Sequence, residues 1–183
     1  YFTPKPIIKK IIKKLDGDAD ALIEPGAGTG IIGYEWQLGN KNSKLYIGME
    51  NDPLLCLACS LCLNRTMSDM NWRVWYKNYL TIEPKKISEM IEIGENSGDL
   101  ITRMISNPPY IRFQRTGKDE NIRRKFNQQL GIELNGYAGV HAYFICKTYE
   151  AIQNIDTEWS KNDTALFLLP AEFKHTKYGA EII

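Results

Sequence analysis

The stretch Ala19-Asp20-Ala21-Leu22-Ile23-Glu24-Pro25-Gly26-Ala27-Gly28-Thr29-Gly30 decides the fold. Ala19 to Glu24 is a short apolar run and reads as a buried strand. A glycine loop, Pro25 to Gly30, follows, and then a helical stretch, Ile31 to Leu38. Glycines at that place permit a tight turn and close approach of backbone to a ligand. The next strand, Lys44 to Glu50, ends in a carboxylate about 20 residues after the loop, where it can accept both hydroxyls of a ribose. Strand, loop, helix, strand and acid together read as a nucleoside site. The glycine spacing is G-x-G-x-G, not the dinucleotide G-x-G-x-x-G, and Glu24 precedes it. A carboxylate there disfavours a pyrophosphate and suits a cation or an amino group. S-adenosylmethionine carries a sulfonium, an ammonium and a ribose but no phosphate, so it fits better than NAD.

The same alternation continues along the chain. Further strands are expected at Trp72 to Tyr76, Leu100 to Ile105 and Ala165 to Leu169. Pro6 to Leu15 is an amphipathic helix with a solvated lysine face. Asp52 and Pro53 supply an N-cap and a first-turn proline for a helix running to about Asn64, and Val140 to Ile152 is helical. Residues 81–98 read as loop with a short helix, and 111–137 as a long polar loop with some helix. Strands alternating with helices predict an open, mainly parallel α/β sheet. Ligands of such sheets sit outside the carboxyl ends of the strands. Glu24-Pro25-Gly26, Glu50-Asn51-Asp52, Asn78-Tyr79 and Asn107-Pro108-Pro109-Tyr110 all fall at expected carboxyl ends, so four polar clusters converge on one edge.

The 183 residues suffice for one domain with a full core, and 43% hydrophobic with 25% charged residues is ordinary for a globular chain. A formal net charge of +1 lends no support to duplex binding. No apolar run approaches the ~18–20 residues of a membrane span. No signal peptide is visible either, so the default for the four cysteines is a reduced cytoplasmic compartment. The chain starts at Tyr1 without Met and stops in what reads as the beginning of a helix, so a fragment of a longer protein is expected.

Asn107-Pro108-Pro109-Tyr110 offers an amide, a rigid proline pair and a phenol ring, with no acid, base or metal ligand. A planar, conjugated NH2 group has a delocalised lone pair and two N–H donors. The Asn107 side-chain oxygen and the Pro108 carbonyl supply two acceptors, which favour a pyramidal nitrogen and stabilise positive charge developing on it. The prolines fix the carbonyl's direction, and Tyr110 gives a flat face for stacking a planar target. The group reads as a receptor for an exocyclic amine or amide.

Other candidates are weaker. Arg112, Arg115, Lys118, Arg123, Arg124 and Lys125, interleaved with Phe113 and Phe126, form a basic run beside this group that suits DNA phosphates. Cys56, Cys59 and Cys62 lack the fourth ligand of an iron–sulfur run, since Thr66 stands where a cysteine is needed, and they read as buried packing. His141 lies on an apolar helical segment and reads as packing, and neither it nor His175 offers a metal pair.

In order, Tyr1-Phe2-Thr3-Pro4, Glu24-Pro25-Gly26-Ala27-Gly28-Thr29-Gly30, Glu50, Asn78-Tyr79-Leu80 and Asn107-Pro108-Pro109-Tyr110 resemble the gamma-group N6-adenine DNA methyltransferases of restriction–modification systems. The resemblance covers nearly the whole chain. It implies a Rossmann-like class I methyltransferase fold, truncated before its last strands and lacking the target-recognition domain, so that residues 1–183 form an incomplete catalytic domain. It implies that Thr3, Glu24, Gly26, Ala27 and Gly28 lie at the methionine part of S-adenosylmethionine. Glu50 would bind the ribose, Asn78 and Tyr79 the adenine, and Phe144 would pack on it. Asn107 and Pro108 would hold the target N6 amine and Tyr110 would stack on the base. A base inside a duplex cannot reach such a pocket, so base flipping of double-stranded DNA is implied. Where the family usually has Asp, this chain has Asn78, which still accepts a hydrogen bond but carries no charge. Three other readings stay open: a protein glutamine-side-chain methyltransferase, an RNA amine methyltransferase, and a non-catalytic cofactor- or DNA-binding module.

Overall fold

The structure, a computed structural model, describes residues 3–15, 19–40, 42–67, 71–91, 100–111, 120–134, 138–153 and 163–182. Five parallel strands form one sheet: β1 (Ala21–Pro25), β2 (Leu45–Glu50), β3 (Asn71–Tyr76), β4 (Thr102–Ser106) and β5 (Thr164–Phe167), in the order β3-β2-β1-β4-β5. Chain order reverses beside β1, which pairs with β2 on one side and β4 on the other. This is the topological switch point, where a crevice opens beyond the strand ends. β1, β2 and β4 are buried throughout, as strands covered on both faces must be.

The pleat sends alternate side chains to two cores. Leu22, Tyr46 and Ile105 face α1 (Lys5–Lys14), α2 (Ile31–Gly39) and α3 (Pro53–Thr66), against Ile8, Ile32, Trp36, Cys59 and Leu63. Ile23, Ile47, Met49 and Met104 face the other way, against Tyr79, Phe126, Tyr143, Phe144 and Phe173. That layer is built from α4 (Pro84–Ile91), α5 (Glu120–Leu130), α6 (Val140–Gln153) and the C-terminal α7 (Lys177–Ile182). The lysine face of α1 is exposed, and Lys5 and Lys9 lie 3.4 and 4.0 Å from the buried Glu35 of α2. Asp52 caps α3 by accepting from the Leu54 and Leu55 amides, with Pro53 in the first turn, as expected.

The strand boundaries differ from the sequence reading by one or two residues, and at β1 and β4 the cause is plain. β1 begins at Ala21, not Ala19, because the Asp20 carbonyl is taken by the Lys44 and Leu45 amides in the turn before the ladder. It also includes Pro25: proline has no amide to donate, and the Gly26 and Ala27 amides both reach back to the Met49 carbonyl. β4 is displaced towards Ser106, because the Ile101 carbonyl receives the Asp20 and Ala21 amides while the Asp163 carboxylate receives the Thr102 amide. Within the segment read as a long loop, α5 takes up residues 120–130.

Candidate functional site

The carboxyl ends of β1, β2, β3 and β4 open into a cavity of about 560 Å³. One wall is the glycine loop. Gly26, Gly28 and Gly30 have φ values of 73, 56 and 77°, a region that side-chain-bearing residues avoid. A Cβ built on Gly26 would lie 3.7 Å from Phe144 and 3.9 Å from the Asn107 carbonyl oxygen, so the loop and the Asn-Pro-Pro-Tyr turn are neighbours. Ser106, fully buried, ties these two strand ends together by donating to the Pro25 carbonyl at 2.6 Å.

Four of the loop's amides are already used. Gly26 and Ala27 donate to Met49, Gly30 to Ala27, and Gly28 to Glu50 Oε2 at 2.8 Å. Glu50 Oε1 accepts from the Asn51 and Asp52 amides. Glu50 is thus a clamp between the loop and the start of α3, and it still lines the cavity. A pyrophosphate needs a nest of free amides, and these four are not free. A nucleoside without phosphate meets a carboxylate, an apolar wall and no such demand.

The apolar wall comes from Tyr79 and Phe144, whose rings pack at 5.2 Å. The Tyr79 hydroxyl is bonded to Thr148, and burial holds the phenol well above its ordinary pKa, so it stays neutral. Asn78 lines the same region, but its Oδ1 accepts from the Leu80 amide and caps the 3-10 turn Tyr79–Thr81. Asn107, Pro108, Pro109 and Tyr110 close the cavity at β4. Asn107 Nδ2 donates to Thr3 Oγ1 at 2.7 Å, and Asn107 Oδ1 accepts from the Tyr110 hydroxyl at 2.6 Å. Tyr110 meets His141 edge-on at 5.8 Å, within a cluster containing Phe173 and Tyr178. His141 is a packing residue there, and burial pushes its pKa down.

Gly26, Gly28, Glu50, Asn78, Tyr79, Phe144, Asn107, Pro108 and Tyr110 are brought together by the fold. Three expected residues are not on the cavity wall. Ala27 is buried among Ile32, Tyr46 and other residues of the α1–α3 core. Thr3 stands behind Asn107. Glu24 was expected to line the cavity and is instead buried behind the loop, where its Oε2 accepts from the Tyr46 hydroxyl at 2.7 Å and the Gly33 amide at 3.1 Å. Strand alternation explains this: Tyr46 of β2 and the start of α2 share that face. Burial pushes the Glu24 carboxyl up to about 8, against the two donated hydrogen bonds. Arg123 pairs with Glu120, and Arg124 is exposed on the same helix. Arg112, Arg115 and Lys118 lie outside the described residues. Met49, Leu55, Lys77 and Asp52 also line the cavity. Of these, only the capping role of Asp52 had a local signal.

Among the described residues no three His, Cys, Asp or Glu side chains group as metal ligands, and no helix is long and apolar enough to cross a membrane. Cys59 packs in the α3 core, and burial pushes its thiol up to about 12.

No family model matches the chain. A type II methyltransferase, M.XamI of Xanthomonas campestris pv. amaranthicola, is 26% identical over 184 residues, covering 99% of this chain. The chain is similar to a type II methyltransferase. It spans 31% of that relative's length. Among solved structures, the methyltransferase subunit of a type I restriction–modification system from Streptococcus thermophilus superposes with a TM-score of 0.66 at 12% identity, over 100% of this chain and 37% of that one. A putative RNA methyltransferase from Pyrococcus horikoshii superposes with a TM-score of 0.53 at 15% identity, over 96% and 66% respectively. The fold is the Rossmann-like methyltransferase fold that the motif order implied.

Proposed function

We propose that this chain forms the catalytic core of an enzyme that transfers a methyl group from S-adenosylmethionine to the N6 amine of an adenine flipped out of double-stranded DNA, as the modification activity of a restriction–modification system. One observation carries the reading. A glycine loop with four of its amides already bonded within the protein faces Asn107-Pro108-Pro109-Tyr110 across a single cavity. The similarity to a type II methyltransferase supports the DNA substrate.

Glu50, Asn78, Tyr79 and Phe144 would hold the nucleoside part of the cofactor, and Gly26 and Gly28 the amino-acid part. When bound, S-adenosylmethionine supplies an electrophilic methyl group. Asn107 Oδ1 and the Pro108 carbonyl accept the two N–H bonds of the target amine, which frees its lone pair for attack and stabilises the positive charge that grows on nitrogen. No base is needed beforehand, because the amine proton becomes acidic only as the new bond forms. The exposed Tyr110 ring stacks the extruded base. Arg123 and Arg124, with Arg112, Arg115 and Lys118, would contact phosphates.

The test is labelled-methyl transfer by the full-length protein to duplex DNA, with RNA and a glutamine peptide offered in parallel. Transfer to adenine N6 of duplex DNA is expected. Asn107→Ala should abolish it while leaving S-adenosylmethionine affinity within about twofold, since the residue acts on the transition state. Transfer to RNA or peptide alone would replace the proposed substrate. Cofactor binding without transfer to any of the three would leave a binding module.

A further inference from the structure

Resting on that reading, we propose that Thr3 is a positioning residue: it turns the Asn107 amide so that its oxygen meets the acceptor amine, a place the Tyr110 hydroxyl holds in the free protein. The two ends of an asparagine amide are alike in size, and its terminal torsion is broad, so hydrogen bonds choose the orientation. The acceptor amine brings N–H donors and needs the oxygen. An amide turned the other way presents NH2 to NH2. Thr3 Oγ1 takes Asn107 Nδ2 at 2.7 Å, leaving Oδ1 towards Tyr110.

Thr3 is well anchored for this. It is 9% exposed, and the next residue, Pro4, accepts the Ile7 and Ile8 amides at the head of α1. Ile8 is fully buried in the core beneath. The Tyr110 hydroxyl lies 2.6 Å from Asn107 Oδ1 and 2.9 Å from the Leu168 carbonyl. A phenol has one hydrogen and serves one of these acceptors at a time. When an amine donates to Oδ1, the phenol hydrogen passes to Leu168, so releasing Asn107 leaves no donor stranded. Tyr110 is 44% exposed and has room to make that exchange. The motif resemblance placed Thr3 at the cofactor; this assignment has its hydroxyl act through Asn107 instead.

The experiment compares the full-length protein with Thr3→Val, which keeps shape but removes the acceptor, and with Thr3→Ser, which restores it. Thr3→Val should lower kcat for methyl transfer about 10- to 100-fold, the scale of a misplaced reacting group, with the S-adenosylmethionine Kd within about twofold. Thr3→Ser should recover most of the rate. A second readout needs no activity. The Asn107 side-chain amide protons, identified by their loss in Asn107→Ala, should exchange slowly in the wild type and in Thr3→Ser and fast in Thr3→Val. A Thr3→Val protein with unchanged amide exchange and a Kd raised tenfold would overturn the proposal and make Thr3 a cofactor contact. Unchanged amide exchange with unchanged kcat would overturn it as well. Altered exchange in a protein that methylates nothing would sink the methyl-transfer reading while supporting the orienting bond.

Discussion

Gly33 has no room for a side chain. A Cβ there would lie 2.4 Å from the Tyr46 ring, and the Gly33 amide holds Glu24. Gly33→Ala should therefore cost about 1–3 kcal/mol by overpacking, read as a lowered urea midpoint with unchanged m-value. The Glu24 beside it makes stability depend on pH. Its folded pKa of about 8 stands above the unfolded value of 4.5, so the native state binds the proton more tightly. Its contribution is full below pH 4.5 and is lost as pH rises through 8. The stability difference between wild type and Glu24→Gln should therefore shift against the wild type from pH 5 to pH 9. A constant difference across that range would mean that the carboxyl titrates normally. Neither effect is visible locally in the chain. Ala21-Leu22-Ile23-Glu24 announces a buried strand with an acid at its end, but which way that acid points depends on Tyr46 and α2 packing on the same face.

At the scale of elements, two ties hold the site's edge together. Ser106 links β4 to β1 through the Pro25 carbonyl, and removing its hydroxyl leaves that carbonyl without its partner. Ser106→Ala should cost about 1–3 kcal/mol by chemical denaturation. Glu50 links the glycine loop to the head of α3 with three accepted amide bonds. Glu50→Ala should both destabilise the fold and abolish saturable S-adenosylmethionine binding in a calorimetric titration. Retained affinity would mean that Glu50 serves only the loop. The elements themselves were largely legible. Alternation of apolar runs with glycine, proline and capping signals located the five strands, α1 to α3 and α6 within a few residues. The strand ends were not, because they depend on which neighbour takes each terminal carbonyl, as at Asp20 and Ile101.

For the whole molecule, ligand binding and folding are linked. A ligand held only by the native state at about 100 times its Kd adds about 2.7 kcal/mol. For a domain of this size that is roughly a 5–10 °C rise in melting temperature. S-adenosylmethionine should produce it and NAD should not, since four of the loop amides are spent within the protein. A larger shift with NAD would reverse the cofactor assignment. By itself the sequence determined the parallel α/β class and the meeting of four motifs at one sheet edge, and it carries the amine-receiving chemistry proposed for Asn107-Pro108-Pro109-Tyr110. These rest on periodicity, on backbone-restricted residues and on functional groups, all of which are local. Only the tertiary structure decided that Glu24 lies behind the loop, that Glu50 is a clamp, and that Thr3 reaches Asn107 across the chain. Those are pairings between distant residues, set by which faces of helix and sheet pack together, and no local pattern encodes them.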